Sequence, residues 1–186
     1  MRHNMSTTAS TNQSTTESLT APLDEHQSDK AKQYLTFDVA NELYGVEILK
    51  VQEIRGWSAV TQMPNAPDFI RGVMNLRGSV VPIMDIRRRF NMPEIDFTPQ
   101  TVVIVVNVQN RTIGMIVDKV SDVVDIEQSD VREAPDFGSA IDSSFLEGLS
   151  PHGEDMVILL NVDEMMKGSD LIKVDDIIQN QEVEEL

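Results

Sequence analysis

Residues 39–46 read VANELYGV and residues 108–115 read VQNRTIGM, and aligning them places asparagine on asparagine and glycine on glycine. The match continues without a gap, because ILKVQEI at 48–54 then lies against VDKVSDV at 117–123. Two more pairs of blocks follow in the same order: FIRGV at 69–73 with FLEGL at 145–149, and VPIMDI at 81–86 with VILLNV at 157–162. Several matched blocks in one order predict an internal duplication rather than chance similarity between strand-rich segments.

The duplicated unit has the features of a small β-structure. Asn41 and Asn110 suit the left-handed position of a tight hairpin turn. Gly45 and Gly114 fall inside strands, where glycine usually marks a bend or a close approach of two backbones. A short strand-rich unit must hide its edges, and curling into a closed barrel does so. The sequence therefore predicts a mainly β fold of two similar small barrels with short helices, and a groove between the barrels.

The spacing of apolar residues predicts the individual elements. In residues 34–39 every second residue is Leu, Phe or Val, which predicts a strand with one buried face. The spacing of three between Ile48, Val51 and Ile54 predicts a short helix. Residues 101–108 are almost all β-branched, as expected of a strand that is covered on both faces.

A tight hairpin is expected in the middle of the first half. Residues 72–77 and 79–86 are predicted to form two strands joined at Arg77 and Gly78. Pro82 lies inside the second strand and cannot donate to a β-ladder, which favours a sheet edge or a bulge there. Further strands are expected at 113–117 and 155–162.

The composition limits the classes of function. The chain has 186 residues, a formal net charge of −16 and no cysteine. Such an acidic surface repels phosphate backbones and anionic lipid headgroups, so neither nucleic acid nor direct membrane insertion is expected. No apolar stretch approaches the ~20 residues that a membrane-spanning helix needs. Without cysteine there are no disulfides, and we expect a cytoplasmic protein.

Both ends of the chain differ in composition from the centre. Residues 1–30 are polar and lack apolar periodicity, so a disordered tail that is not a secretory signal is expected. The folded region is expected at 31–167, with halves at 31–92 and 101–167 and strand exchange possible at their borders. Residues 168–186 are acidic and are predicted to form a helix or tail, because Leu171, Val174 and Ile178 recur at helical spacing.

Nucleic-acid binding and enzymatic activity are alternatives with little support. The basic run Arg87 to Arg89 stands alone, and a solvated helix face explains it better than nucleic-acid binding. The sequence contains neither a phosphate-binding glycine motif nor a G-x-S-x-G nucleophile elbow. His152 is the only histidine of the expected folded part, so a small hydrolase would have to use it. A metal site formed by His152, Glu154 and Asp155 lacks a recognised ligand spacing. We therefore predict no catalytic, cofactor-binding or metal-binding residues.

Several motifs resemble the CheW-type bacterial chemotaxis adaptors. VQEIRG at 51–56, FIRGVMNLRG at 69–78 and VPIMD at 81–85 carry the likeness in the first half. GMIVDKV at 114–120 and FLEGL at 145–149 carry it in the second half. The resemblance covers residues 31–167, and the combination N-x-R-G-x-x-x-P-x-x-D, preceded by F-I-x-G, is quite specific.

The resemblance implies a fold, partners and site residues. It implies two five-stranded barrels around a shared hydrophobic core, in an adaptor that couples chemoreceptors to the CheA histidine kinase. The receptor's cytoplasmic tip would dock in the groove between the barrels, and the regulatory domain of CheA, which has the same fold, would pair with the adaptor. The adaptor would be recruited to membrane-associated receptor arrays. The family's receptor-binding positions match five residues here: Val51, Glu53, Gly72, Arg77 and Val102. A similar scaffold in a non-flagellar pathway, for surface motility or polar localisation, is the alternative.

The residues can also be weighed without the family. Glu53 lies off the apolar stripe and is expected to be exposed on the short helix. Arg77 at a tight turn is expected to point outward, where its planar guanidinium can grip a partner's carboxylate or carbonyl groups. Gly72 suits a backbone role or close approach by a partner helix. Val51 is more often a core residue.

Overall fold

The computed structural model describes residues 31–136, 138, 141–167 and 169–184, so the predicted tail at 1–30 lies outside the described residues. The described part contains ten strands: β1 Lys32–Val39, β2 Glu42–Glu47, β3 Val51–Gly56, β4 Ile70–Leu76, β5 Ser79–Asp85, β6 Val102–Val108, β7 Arg111–Val117, β8 Lys119–Ile126, β9 Leu146–His152 and β10 Asp155–Leu160. It also contains three α-helices: α1 Ile86–Arg89, α2 Val162–Met165 and α3 Ser169–Glu184.

The strands form two five-stranded sheets. Barrel A is the sheet β8-β1-β2-β10-β9, and barrel B is the sheet β3-β6-β7-β5-β4. In each sheet, the segment that follows one edge strand forms hydrogen bonds with the opposite edge strand: the segment after β3 pairs with β4, and the segment after β8 pairs with β9. Thr61 and Val73 exchange two backbone hydrogen bonds in barrel B, and Arg132 and Leu149 do so in barrel A. Both sheets therefore curl round on themselves, and the predicted mainly β fold is confirmed.

The two barrels do not correspond to the two sequence repeats. Barrel A takes β1 and β2 from the first repeat and β8, β9 and β10 from the second. Barrel B takes β3, β4 and β5 from the first repeat and β6 and β7 from the second. The pairing registers are nonetheless equivalent, because Val51 pairs with Val106 in barrel B as Val120 pairs with Phe37 in barrel A. The molecule thus has a pseudo-twofold axis that relates the repeats.

Three apolar clusters hold this arrangement together. The largest joins residues of both barrels, and within it the rings of Phe37, Tyr44 and Phe90 stack with centroid separations of 6.1 and 5.7 Å. A second cluster fills barrel B: Met74, Leu76, Val81, Ile83, Val103, Val105 and Ile116. A third fills barrel A: Tyr34, Val124, Ile126, Val157 and Leu159. The shared cluster makes the two barrels one packed unit.

The predicted turns are confirmed, and the predicted burial of β1 is wrong. Asn41 and Asn110 both have a φ of 65°, the left-handed conformation that a tight hairpin requires. In β1, however, Tyr34 and Thr36 are 0% and 2% exposed, so both faces of the strand are buried. One face of β1 points into barrel A and the other into the shared core. The alternation of apolar residues in the sequence indicates that one face is buried, but it does not show that the opposite face is buried too.

Two further predictions are corrected. The segment expected to form a short helix is a single 3₁₀ turn at Ile48–Lys50, followed directly by β3. β5 is not an edge strand, because it lies between β4 and β7. The alternative that was expected, a bulge, is found beside Pro82, because the β4–β5 ladder shifts register between Ile70 and Gly72, which pair with Met84 and Ile83. Pro82 pairs with Val73 of β4, whereas the parallel pairing with β7 begins only at Ile83. The proline therefore precedes the part of β5 that is bonded on both sides.

The C-terminal segment forms the helix α3. Its Val174 is fully buried in the shared core. Arg111 at the start of β7 donates through Nε and Nη2 to the two carboxylate oxygens of Asp175, at 2.6 and 2.5 Å. The helix is thus fixed by the packing of Val174 and Ile178 on the shared core and by two ion pairs, Arg111 with Asp175 and Arg89 with Asp170. Among the described residues, no helix is both long and apolar enough to cross a bilayer.

Candidate partner-docking site

The five predicted site residues all lie on barrel B. Val51 and Glu53 are on β3, Gly72 is on β4, Val102 begins β6, and Arg77 occupies the β4–β5 turn. They therefore come from three strands and one turn of a single barrel, and are not divided between the two barrels. Glu53 and Arg77 are brought into direct contact as an ion pair.

Arg77 presents an ordered guanidinium at the end of barrel B. Its φ is 53°, so the two-residue turn directs the side chain away from the sheet, and 84% of that side chain is exposed. Its Nη2 donates to Oε2 of Glu53 at 2.6 Å. The outward position predicted from the sequence is confirmed. A guanidinium has five N–H donors, so most of them remain available to a partner.

Glu53 lies on a strand and not on the predicted helix. Its side chain is only 23% exposed, because it rests against the barrel end between two cations. Besides Arg77, Nη1 of Arg55 lies 3.7 Å from its Oε1. The prediction that Glu53 is exposed on a short helix is therefore wrong, because the residue is half-buried on β3. The carboxylate is placed to orient Arg77 rather than to project into solvent.

A shallow pocket of about 220 Å³ opens beneath the Arg77–Glu53 pair. Leu76, Val81 and Val105 are its apolar lining residues, and the remaining lining is polar: Gln52, Ser79 and Thr112. An apolar wall below an exposed guanidinium is suited to a partner side chain that has an apolar stem and a polar end.

Apolar residues extend this surface along β3. Val51 and Val102 are half-buried against the shared core. Leu49 and Ile54 are exposed, and the sequence analysis did not assign either of them to the site. Both sit in the ILKVQEI block, where a spacing of three suggested a buried helix stripe. A strand that contains a bulge, as β3 does between Val51 and Glu53, disrupts the alternation that would have revealed Ile54.

Gly72 serves the closure of barrel B. A Cβ atom built on it would lie 2.2 Å from the carbonyl oxygen of Thr61. Its pseudo-symmetric counterpart Gly148 would place a Cβ 2.6 Å from the carbonyl oxygen of Arg132. At both positions only glycine lets the closing segment reach its strand. The backbone role suggested for Gly72 is therefore the one that the geometry supports.

Two polar clips fix one barrel against the other. In the first, Arg87 on α1 donates through Nε and Nη2 to Asp118, at 3.0 and 2.6 Å. The same carboxylate accepts the backbone N–H of Ala40 in the β1–β2 turn. In the second clip, Asp163 on α2 accepts from Lys50 and from the backbone N–H of Gln109. The helices α1 and α2 are related by the pseudo-twofold axis, but α1 contributes the cation Arg87 to the first clip, whereas α2 contributes the anion Asp163 to the second.

Electrostatics favour the ionised form of the first clip. Burial raises the pKa of Asp118, but hydrogen bonds from Arg87 and Ala40, together with the charge of Arg87, bring it below its ordinary value. The predicted solvated helix face for the arginine run is wrong, since Arg87, Arg88 and Arg89 are each paired with a carboxylate and partly buried. Arg89 also lies between the rings of Phe69 and Phe145, at 4.3 and 4.6 Å.

Comparison with known proteins identifies the family. The family model described as CheW-like domain matches residues 33–170. The chain belongs to the CheW-like domain family. Chemotaxis protein CheW of Klebsiella aerogenes is 42% identical over 149 residues, which cover 80% of this chain and 90% of that protein. Chemotaxis protein CheW of Rhizobium meliloti is 36% identical over 140 residues, covering 75% and 90%.

A solved structure agrees with the sequence comparisons. The crystal structure of scaffolding protein TtCheW from Thermoanaerobacter tengcongensis superposes with a TM-score of 0.69 at 29% identity, covering 78% of this chain and 94% of that one. The resemblance seen in the sequence is thereby confirmed. This CheW-like chain is a non-catalytic adaptor of the chemotaxis scaffold type. The alternative, a scaffold for surface motility or polar localisation, is not favoured by these relatives.

Proposed function

We propose that this CheW-like chain couples chemoreceptors to the CheA histidine kinase in the cytoplasm, within receptor arrays at the membrane. Membership of the family and the likeness to a scaffolding protein support this proposal. Two surfaces are required, one for the cytoplasmic tip of the receptor and one for the regulatory domain of the kinase.

The receptor tip docks around Arg77, on the barrel B side of the groove that the resemblance implies, where Val51 and Val102 pack against the shared core. The observation that carries this assignment is the exposed guanidinium held at 2.6 Å by Glu53 beside apolar surface from β3. A receptor helix can place apolar side chains against Val51, Ile54 and Val102 while a carboxylate or carbonyl group accepts from Arg77. Because Glu53 restrains the guanidinium before binding, less side-chain entropy is lost when the partner arrives.

The kinase regulatory domain engages other barrel surfaces. Strand β8 forms the edge of barrel A and exposes Val123, on the other barrel from Arg77. A partner with the same fold can place one of its own edge strands there. Individually weak contacts suffice in an array, since linkage raises effective concentration and avidity can exceed single-site affinity by ~100-fold or more. Control of the kinase then requires that the contacts differ in affinity between signalling states.

The test is a binding measurement with purified components. Full-length protein is titrated with a receptor cytoplasmic tip and, separately, with a CheA regulatory domain. We expect both to bind, and we expect Arg77→Glu to weaken tip binding about tenfold to a hundredfold, because a charge-assisted hydrogen bond is replaced by repulsion. Kinase-domain binding and the melting temperature should change little, because the Arg77 side chain is almost fully exposed.

Lys173→Glu on the exposed face of α3 is the matched control, since it changes the charge equally and lies outside the site. Equal effects of the two substitutions on tip binding would show a general charge effect and contradict the assignment of Arg77. Wild-type protein that binds neither partner would contradict the proposed function itself.

A further inference from the structure

The docking site on barrel B has a pseudo-symmetric counterpart on barrel A. The registers show this directly: Val102 pairs with Gly56 on barrel B as Gln33 pairs with Asp125 on barrel A. The hairpin that carries Arg77 is closed by the pair Leu76 and Ser79, and its counterpart by the pair His152 and Asp155. Each of the five site residues on barrel B can therefore be matched to one residue on barrel A.

Three of the five positions keep their character in barrel A. A valine remains at Val120, a carboxylate at Asp122 and a glycine at Gly148. The counterpart pocket opens at the same end of the barrel, lined by residues equivalent to those around Arg77: Thr36, Leu43, Ser121, Asp122, His152 and Asp155. Val120 packs against the shared core as Val51 does. The frame of the docking site is thus present twice.

The other two positions change completely. Arg77 is replaced by Gly153, which has no side-chain donor, and Val102 is replaced by Gln33, whose amide donates to Asp125 at 3.0 Å. The exposed surface around Gly153 carries Asp122 and Asp155, and the Lys119 that also lines the pocket lies 3.5 Å from the carboxylate of Asp38. A group that accepts from the guanidinium on barrel B would therefore meet no donor at position 153, and two carboxylates beside it.

We infer that Gly153 and Gln33 determine specificity, because they restrict receptor docking to barrel B and limit each chain to one receptor tip. This inference rests on the proposed function. The pseudo-twofold axis by itself would create two docking sites on opposite barrels. The two divergent positions remove one of them while leaving the strands, the closing glycine and the core unchanged.

The experiment transplants the site onto barrel A. The graft carries Gln33→Val, Asp122→Glu, Gly153→Arg, Glu154→Gly and Asp155→Ser in the full chain. The backbone accepts it, because Gly153 has a φ of 63° and Arg77 itself occupies the same turn position with a φ of 53°. Glu154→Gly provides the second left-handed position, which Gly78 fills in barrel B with a φ of 88°.

Two readouts decide the result. The first readout is the stoichiometry of binding, measured by calorimetric titration with the receptor tip. The wild-type chain is expected to bind one tip, and the graft is expected to bind two. When Arg77→Glu is added to the graft, tip binding is expected to return to within about tenfold of wild-type affinity, since one charge-assisted hydrogen bond again anchors the tip. The matched control is the same graft with Gly153→Ser, which should bind at barrel B only.

A folded graft that binds one tip, and that loses all binding with Arg77→Glu, overturns the inference while leaving the proposed function intact. Wild-type protein that binds no tip overturns both. If the graft does not fold, the reciprocal transplant decides: Arg77→Gly, Gly78→Glu and Ser79→Asp place the barrel A hairpin on barrel B. Loss of tip binding by this folded variant supports the inference, and retained binding overturns it.

Discussion

Position 72 requires a glycine because barrel B closes at this point. A methyl group there would lie 2.2 Å from the carbonyl oxygen of Thr61, and the Gly72 backbone has a φ of 154°. We expect Gly72→Ala to lower the free energy of unfolding by about 2–4 kcal/mol, through overpacking against backbone and local strain. Urea denaturation followed by circular dichroism measures the loss.

Gly56→Ala is the control for this prediction, because a Cβ on that glycine would meet no atom within 4 Å. It should change stability far less than Gly72→Ala does. Equal stability of the two variants would mean that Thr61 moves freely and that barrel B does not depend on this closure. Tip binding per folded molecule should survive Gly72→Ala, since the side of Gly72 that a Cβ would occupy faces the closing segment.

Residues that act through local geometry were predicted well from the sequence. The outward position of Arg77 followed from the turn alone. Glu53 was placed wrongly because its burial depends on Arg55 and Arg77, and on a bulge in β3 that no local pattern encodes. The duplicated glycines could be recognised as equivalent, but their contacts with Thr61 and Arg132 are long-range and appear only in three dimensions.

The first polar clip links elements of both barrels and should respond to pH. The folded pKa of Asp118 lies below the ordinary value of 3.8, so its stabilising effect is present above that value and is lost as the pH falls through the folded pKa. At pH 7, Asp118→Asn should lower stability by about 1–3 kcal/mol, because hydrogen bonds to a charged group are weakened.

Denaturation curves of the wild type and Asp118→Asn, measured from pH 7 to pH 2, provide the measurement. The difference in stability should shrink as the pH falls from 3.8 through the lower folded pKa of Asp118, where the carboxylate of the folded protein becomes protonated. Asp125→Asn, a change to an exposed carboxylate on the same barrel, is the control and should lower stability at pH 7 far less than Asp118→Asn does. A difference that stays constant across this range would contradict the clip.

The helix α3 gives a second test at the level of an element. Val174 is fully buried and Ile172, two residues earlier, is 63% exposed. We expect Val174→Ala to destabilise the protein by about 1–2 kcal/mol, through lost burial and a residual cavity. Ile172→Ala is the control and should have a small effect in the same thermal melt. Similar effects of the two substitutions would contradict the packing of α3 on the shared core through Val174.

Most strands could be predicted from apolar alternation, whereas β8 could not. It aligns with the ILKVQEI block, where a spacing of three predicted a short helix, and no element was predicted at the position of β8 itself. The edge position considered for Pro82 was also wrong, since β5 becomes an inner strand only through parallel pairing with β7, more than 25 residues away. The local periodicity of apolar residues carries no information about which distant segments pair with each other.

At the scale of the whole molecule, the strand exchange makes the two repeats mutually dependent. A fragment ending at residue 95 would lack β8, β9 and β10 from barrel A, together with β6 and β7 from barrel B. We expect fragments 1–95 and 96–186 to be unfolded separately and to acquire native circular dichroism when mixed, because only together do they complete both sheets.

Each fragment measured alone is the internal control, and the intact chain provides the reference spectrum. Independent folding of either fragment would contradict the dependence of the repeats. For the same reason the intact chain should unfold in a single transition, with coincident curves by fluorescence of Trp57 and by circular dichroism.

The exchange of strands between repeats also bears on how such a molecule can arise. Two identical short chains would complete both sheets only by lending strands to each other, as in a domain-swapped homodimer. Gene duplication and fusion of such a dimer removes the constraint of identical halves. One copy can then keep an arginine at its turn while the other loses it. A symmetric ancestor thereby becomes an asymmetric protein whose two ends can be distinguished.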